Sequence, residues 1–266
     1  SYLNKTFSGA PTNAKKGTVS IWFKLSQNDN SSNNYYRLFV TGADANNRTD
    51  LNIVKPNENV DSNDLAGRLY FSHIVSGTAY HWRTNRQLRD FSGFYNLVVA
   101  YDTTQASASD RVKIYINGTQ ETSFSASATI PQDTDLFFGN NSSAHHIGNS
   151  PHYSPRFFQG YMSHFAYVDG TALAPTVFGE TDSTSGIWKF KSPSTTWGNN
   201  GVHLKFENSG NLGLDSSGNS HNFTVNGNLK QAVDTPSNVY ATLNPLTNDG
   251  GGAKTYSTGN TTVVES

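Results

Sequence analysis

The chain contains no cysteine, which excludes disulfide staples, thiolate metal centres and cysteine nucleophiles together. Glutamate is scarce as well. It stands only at positions 58, 121, 180, 207 and 265, and none of these forms the alternating Glu-x-Asp-x-x-Glu strand that presents a nucleophile and an acid on one face. A glycanase needs two carboxylates about 5 to 10 Å apart across the sugar. The alternating pair Glu180 and Asp182 stands in FGETDST after Pro175, a segment that reads as a turn. No Gly-x-Ser-x-Gly elbow or phosphate-cradling Gly-x-x-x-x-Gly-Lys occurs, so the chain is expected not to be an enzyme. Charged residues make up only 15% and the formal net charge is -1, which leaves no electrostatic footprint for nucleic acid or an anionic membrane. No run approaches the ~20 apolar residues of a membrane span, and the opening SYLNKTFSGA lacks the basic and then apolar regions of a secretion signal. Membrane insertion is not expected. The one methionine is Met162 and the chain begins at Ser1, as it would if an initiator was removed or if this is a piece of a longer protein.

What is present is alternation. In FFQGYMSHFAYVDG the residues Met162, His164, Ala166 and Val168 point to one side of a strand, and Tyr161, Ser163, Phe165 and Tyr167 to the other. Thr18 to Leu25 sets Val19, Ile21, Phe23 and Leu25 against Ser20, Trp22 and Lys24. Arg111 to Ile116 sets Val112, Ile114 and Ile116 inward against Arg111, Lys113 and Tyr115 outward and runs into Asn117-Gly118, a strong hairpin signal. Within residues 95 to 118 two alternating runs flank a polar loop, and further strands are expected at Tyr35 to Thr41, Arg68 to Ile74, Ala79 to Arg83, Asp135 to Phe138, Ile187 to Phe190 and Val202 to Phe206. No window of a dozen residues shows a 3.6 period. The pattern predicts an all-β, two-sheet antiparallel sandwich over residues 1–235 in which each sheet buries one face, with an extended strap and linker over 236–266 that can lead to a further module. Polar loops are expected at Gln27 to Asn34, Gly42 to Asp50, Pro56 to Asp64 and Asn208 to His221.

Three clusters carry candidate chemistry. His145, His146 and His152 could gather a metal on one loop, although adjacency alone fixes no geometry and ordinary loop histidines are the competing reading. Asp215 and Asn219 in DSSGNSHNF make an oxygen-rich turn that could hold calcium, against an Asx-type turn in which Asp215 bonds its own backbone. The chain is otherwise expected to need no cofactor. For glycan binding, which uses aromatic faces beside planar polar groups, the candidates are Tyr80, Trp82 and Arg83 in one segment and Tyr153 and Arg156 in another. A Trp82 packed in the core is the alternative to an exposed platform.

Taken together, TVSIWFK (18–24), RDFSGFYNLVVAYDTTQA (89–106), RVKIYING (111–118), DG-x-AL-x-P-x-x-FGE, LGLDSSGN and DTP-x-N resemble the concanavalin A-like, laminin-G-type jelly rolls of bacteriophage tail-fibre and other virion proteins. The resemblance is spread over most of the chain. It implies a jelly-roll sandwich in a non-enzymatic structural protein on the exposed surface of a virion, as a tail or head appendage. Its expected partners are other virion proteins, a host-surface glycan and further copies of itself. A capsid-decoration or appendage subunit that mainly packs against neighbours, or a glycan depolymerase, are the alternatives. Phe94-Tyr95-Asn96 departs from the Trp-Tyr-His series of the relatives, so no histidine site is carried over there.

Overall fold

The computed structural model describes residues 1–26, 35–55, 67–153 and 157–237, together with the backbone of Lys254–Ser257 and Thr262–Glu265. Two antiparallel sheets carry the fold. In spatial order the eight-stranded sheet runs Phe124–Ser127 (β10), Thr78–Gln87 (β6), Arg68–Val75 (β5), Asn47–Val54 (β4), Tyr35–Asp44 (β3), His145–Ile147 (β11), Tyr2–Lys5 (β1) and Thr224–Asn226 (β16). The six-stranded sheet runs Val202–Leu204 (β15), Gly160–Asp169 (β12), Lys16–Leu25 (β2), Tyr95–Asp102 (β7), Val112–Ile116 (β8) and Thr119–Gln120 (β9). Two hairpins, Gly179–Thr181 (β13) with Trp188–Phe190 (β14) and Lys254–Ser257 (β17) with Thr262–Glu265 (β18), stand apart.

The sandwich forms because period-2 strands bury one face each, and the inward residues of both sheets make a single core. Val19, Ile21, Phe23, Leu97, Val99, Val112, Ile114 and Ile116 from one sheet meet Leu38, Leu51, Phe71 and Trp82 from the other. Aromatic contacts bridge the gap, such as Phe39 against Phe165 with ring centroids 4.8 Å apart. Asn117 and Gly118 have φ of 49° and 77°, the left-handed pair that a type I′ turn requires between β8 and β9. The last strands belong to the same two sheets: β15 pairs with β12 and β16 with β1.

Three expectations fail for identifiable reasons. The six-stranded sheet buries both faces, because the excursion after β12 returns across it. Phe178 packs there with Val98, Ala166 and Val168, flanked by Leu173, Val177 and Trp197. Trp22, on the side read as outward, is 2% exposed and donates its Nε1 hydrogen to the Phe178 carbonyl at 3.3 Å. Asn96 joins the layers, donating to Ser20 Oγ at 3.2 Å and accepting from Trp188 Nε1 at 3.1 Å.

Gly42 to Asp50 is not a loop. It holds the end of β3, a tight turn and half of β4, and the polar Arg48, Asp50 and Asn52 that suggested a loop alternate with Thr49, Leu51 and Ile53 on a central strand. Asp135 to Phe138 is not a strand. It crosses the core edge as coil, bonded through Leu136 N to Ala14 O and through Phe137 N to Thr49 Oγ1, with Phe138 buried. Gln27 to Asn34 lies outside the described residues, as does Pro56 to Asp64.

Candidate functional site on the outer face of the eight-stranded sheet

Register decides which side chains share this face. One cross-strand row runs Arg37, Asn52, Tyr70 and Arg83, and the next runs Val40, Asp50, Ser72 and His81. Between these rows Leu51, Phe71 and Trp82 turn inward, as period 2 demands.

Asp50 Oδ2 accepts from Arg48 Nε at 2.7 Å and from Arg37 Nη1 at 3.3 Å. The Tyr153 ring covers both guanidiniums, its centroid 5.1 Å from the Arg48 carbon and 5.5 Å from that of Arg37. Arg37 also lies 5.2 Å from the Tyr35 ring, and Tyr35 stands 5.7 Å from Tyr70. Tyr70 in turn lies under Arg83 at 5.3 Å and shares a 2.7 Å hydrogen bond with His81 Nδ1. The outcome is a continuous patch of half-buried tyrosine rings and the Arg83 guanidinium beside a buried layer of Arg37, Arg48 and smaller polar side chains.

This buried layer has unmet bonding capacity. Asp50, Asn52 and Ser72 are fully buried, yet among the described residues Asp50 Oδ1, both amide atoms of Asn52 and Ser72 Oγ have no hydrogen-bond partner, and neither has Arg83 Nε. A buried polar atom without a partner costs roughly 1 to 3 kcal/mol. Several of them side by side in a closed layer mark a place where ordered water, or a ligand that displaces part of the cover, can complete the bonds. Burial pushes the Tyr70 phenol up to about 12, so it remains protonated. Burial, reinforced by Arg83 and Arg48, holds His81 below the ordinary imidazole range and therefore neutral at pH 7. The face offers neutral donors and acceptors, flat rings and fixed guanidinium planes, which suit a polyhydroxylated ring.

Of the residues singled out from the sequence, Arg83 and Tyr153 lie on this face. Trp82 does not: it is 6% exposed, with its ring 5.4 Å from Phe71 in the core. Tyr80 shares its side of β6 and stacks on His73 at 6.3 Å. Arg156 lies outside the described residues. His81 lies in the Tyr80–Arg83 segment singled out from the sequence; Tyr70, Arg37, Arg48, Asp50, Asn52 and Ser72 were missed, although the alternation in NRTDLNIV and RLYFSHIV was the signal that would have placed most of them.

The other clusters resolve differently. The Asp215 carboxylate accepts four hydrogen bonds, from the backbone of His203, Ser217 and His221 at 2.9 Å each and from Ser217 Oγ at 2.8 Å. Asn219 turns its amide to the carbonyls of Gly198 and Gly201 at 2.8 and 2.9 Å. Both residues thus hold an Asx-type turn together, and calcium would have to displace those donors. Of His145, His146 and His152 only His145 turns away; His146 stands opposite Val40 on the outer face, where burial and then His152 lower its pKa, and His152, itself lowered by burial, senses Asp50 and Arg48. His145 faces the core and accepts from Gly139 N at 2.8 Å, whereas His146 stacks on Tyr2 at 5.6 Å. Among the described residues no group of three or more His, Cys, Asp or Glu could hold a metal ion. Lys189 holds Asp182 at 3.2 Å and Glu180 at 3.5 Å. Asp182 is pulled well below the usual carboxylate range by hydrogen bonds from Ser185, then from Lys189 and Thr184. That is a turn in which Asp182 stays ionised.

The sequence matches the concanavalin A-like lectin/glucanases superfamily over residues 4–178. With more than half of the chain covered, this protein belongs to that superfamily. No curated protein matches the chain. Among solved structures it is similar to a candidate carbohydrate-binding protein from Bacteroides ovatus, at 15% identity and TM-score 0.46, covering 90% of this chain and 62% of that one. It is similar to the CBM40 domain of the Ruminococcus gnavus IT-sialidase at 14% identity and TM-score 0.44, covering 65% of this chain and 90% of that one. It is also similar to the enzymatically active domain of bacteriophage CBA120 tailspike protein 2, at 11% identity and TM-score 0.43, covering 66% of this chain and 25% of that one.

Proposed function

We propose that this chain is a non-enzymatic carbohydrate-binding module of a bacteriophage virion protein, and that it engages a host-surface glycan through the outer face of the eight-stranded sheet. The observation that carries the reading is the buried, partly unmatched floor of Asp50, Asn52 and Ser72 on the same face as Tyr35, Tyr70 and Tyr153. Sugar hydroxyls supply the hydrogen bonds that the floor lacks, and the tyrosines supply stacking surface. The virion setting rests on the sequence motifs DG-x-AL-x-P-x-x-FGE, LGLDSSGN and DTP-x-N. Modest affinity per site, multiplied over copies of an oligomer on the particle surface, is sufficient for attachment.

A role limited to packing between virion subunits calls for a broad apolar surface. Among the described residues the large apolar side chains left exposed are Ile187, Leu214, Val225 and Val233, which lie in separate segments. Depolymerase chemistry calls for a protonated acid opposite a second carboxylate. Burial raises Glu121, but Arg86 holds it in an ion pair at 2.6 Å. Titrating the chain with host-envelope polysaccharide fragments in a calorimeter tests the proposal, with the same mixtures assayed for new reducing ends. Saturable heat without new ends is expected. New ends, or no heat with any envelope fraction, would contradict it.

A further inference from the structure

A cavity of about 610 Å³ opens where the two sheets part beside β1 and β15, far along the sheets from Tyr70 and Arg83. Its wall is amphipathic: Leu3, Ile147, Phe158, Met162, Phe206 and Leu229 line it together with polar and charged side chains. Protein interiors pack at crystal density, and a space of this size falls in the range of small-molecule sites.

The cavity is held open by construction. Its cover, residues 228–237, is pinned on one side by the buried Lys24–Asp234 ion pair at 2.7 Å. On the other, Gln231 Nε2 donates to the carbonyls of Phe206 at 3.0 Å and Glu207 at 2.9 Å. Two non-glycine residues of the wall adopt left-handed backbone, His164 at φ 49° and Phe206 at φ 57°. The first sits in the bulge of β12 between Ser163 and Phe165. Such strain concentrates at functional sites, and bulges there re-aim side chains. The His164 ring stacks on Phe190 at 3.7 Å, while its Nδ1 is buried with no hydrogen-bond partner among the described residues.

Charge selects the occupant. Of the carboxylates lining the cavity, Glu207 has Lys205 at 3.5 Å and Asp234 has Lys24. Lys230 also lines it, and no carboxylate among the described residues pairs with it. We propose that the cavity is a second binding site, independent of the glycan face, for an amphipathic monoanion. The apolar body of this ligand lies against Leu3, Met162 and Leu229, and its head lies near Lys230.

The test is a fluorescence titration of the intact chain with 1-anilinonaphthalene-8-sulfonate, an apolar aryl body carrying one sulfonate, with decanoate and decanol as competitors. The expected result is saturable one-to-one binding, displaced by decanoate more readily than by decanol. Leu229→Trp, which fills the cavity, should abolish binding. Lys230→Glu, an exposed change that leaves the core untouched, should weaken it about two- to fivefold, the scale of one partly screened charge contact. Tyr70→Ala on the glycan face should leave it unchanged. Absence of saturable binding, or full binding by Leu229→Trp with an unchanged melting temperature, would overturn the site. Equal competition by decanol together with full binding by Lys230→Glu would overturn the assignment of an anionic head.

Discussion

The outer faces of the two sheets are both buried, by opposite means. On the six-stranded sheet Trp22, Val98, Ala166 and Val168 are covered by the chain's own Phe178, Phe190 and Trp197; Asn96 there is paired between Ser20 and Trp188, and among the described residues the unmatched polar atoms are one ring nitrogen each of His164 and His203. On the eight-stranded sheet the corresponding layer is Arg37, Arg48, Asp50, Asn52 and Ser72 under tyrosines, and part of its bonding capacity is unmet. A mainly apolar layer stabilises by burial and leaves little bonding capacity open. A polar floor with free capacity gives up stability, and a ligand is the natural source of compensation.

Acid gives the largest expected effect and loads both faces at once. Burial holds His164 and His203, on the six-stranded side, to about 4, and does the same to His73 and His146 of the other sheet. It holds His145 to about 3. The unfolded chain takes up these protons near 6.5. Between those values the unfolded state binds more protons, so stability rises with pH. This contribution is complete above about pH 6.5 and is lost as pH falls toward 4 and then 3. The unfolding free energy from denaturant titrations should fall steadily below pH 6, by several kcal/mol in total by pH 5. A flat profile from pH 7 to 4.5 would show that the histidines are not buried as described.

Trp22→Ala should cost about 3 to 5 kcal/mol, since it opens a cavity under Phe178 and Phe190. A loss below about 1 kcal/mol in chemical denaturation would mean that the excursion over the six-stranded sheet does not pack. Asp50→Ala should cost about 3 kcal/mol, because it removes a shared carboxylate from two buried guanidiniums. Double substitution to Met at Arg48 and Asp50 should recover much of that loss, which distinguishes an uncompensated charge from lost packing. Tyr70→Ala is expected to change the melting temperature little and to weaken glycan binding about tenfold, on the scale of one well-placed aromatic contact. The smallest effect is at Asp215. With its oxygens already occupied by four donors, millimolar calcium should shift the melting temperature no more than magnesium does, and a calcium-specific rise would restore a metal site at that turn.

The strands with one strongly apolar face, β2, β7, β8 and β12, were legible in the sequence, because their inward alternation outweighs any other signal. The candidate site was hidden for the same physical reason that makes it a site. Arg48, Asp50 and Asn52 lowered the apolarity of NRTDLNIV so far that a central strand read as a loop, and with it went the register that aligns Asn52 with Tyr70 and Asp50 with Ser72. Tyr80 and Trp82 drew notice as aromatics, but parity along β6 sends Trp82 inward and leaves His81 and Arg83 on the outer face. The covered side of the six-stranded sheet was equally hidden, since nothing in TVSIWFK shows that Phe178, some 150 residues later, will close over Trp22.

The central claim, that the polar face is where a glycan binds, is tested most directly by mapping amide chemical-shift changes as the bound polysaccharide fragment is titrated into isotopically labelled protein. The account predicts that the largest changes fall on Asn52, Tyr70, Ser72, His81, Arg83 and Tyr153, and that they vanish in Tyr70→Ala. Changes centred instead on the excursion over the six-stranded sheet or on the Asp215 turn, with the eight-stranded face unperturbed, would contradict it.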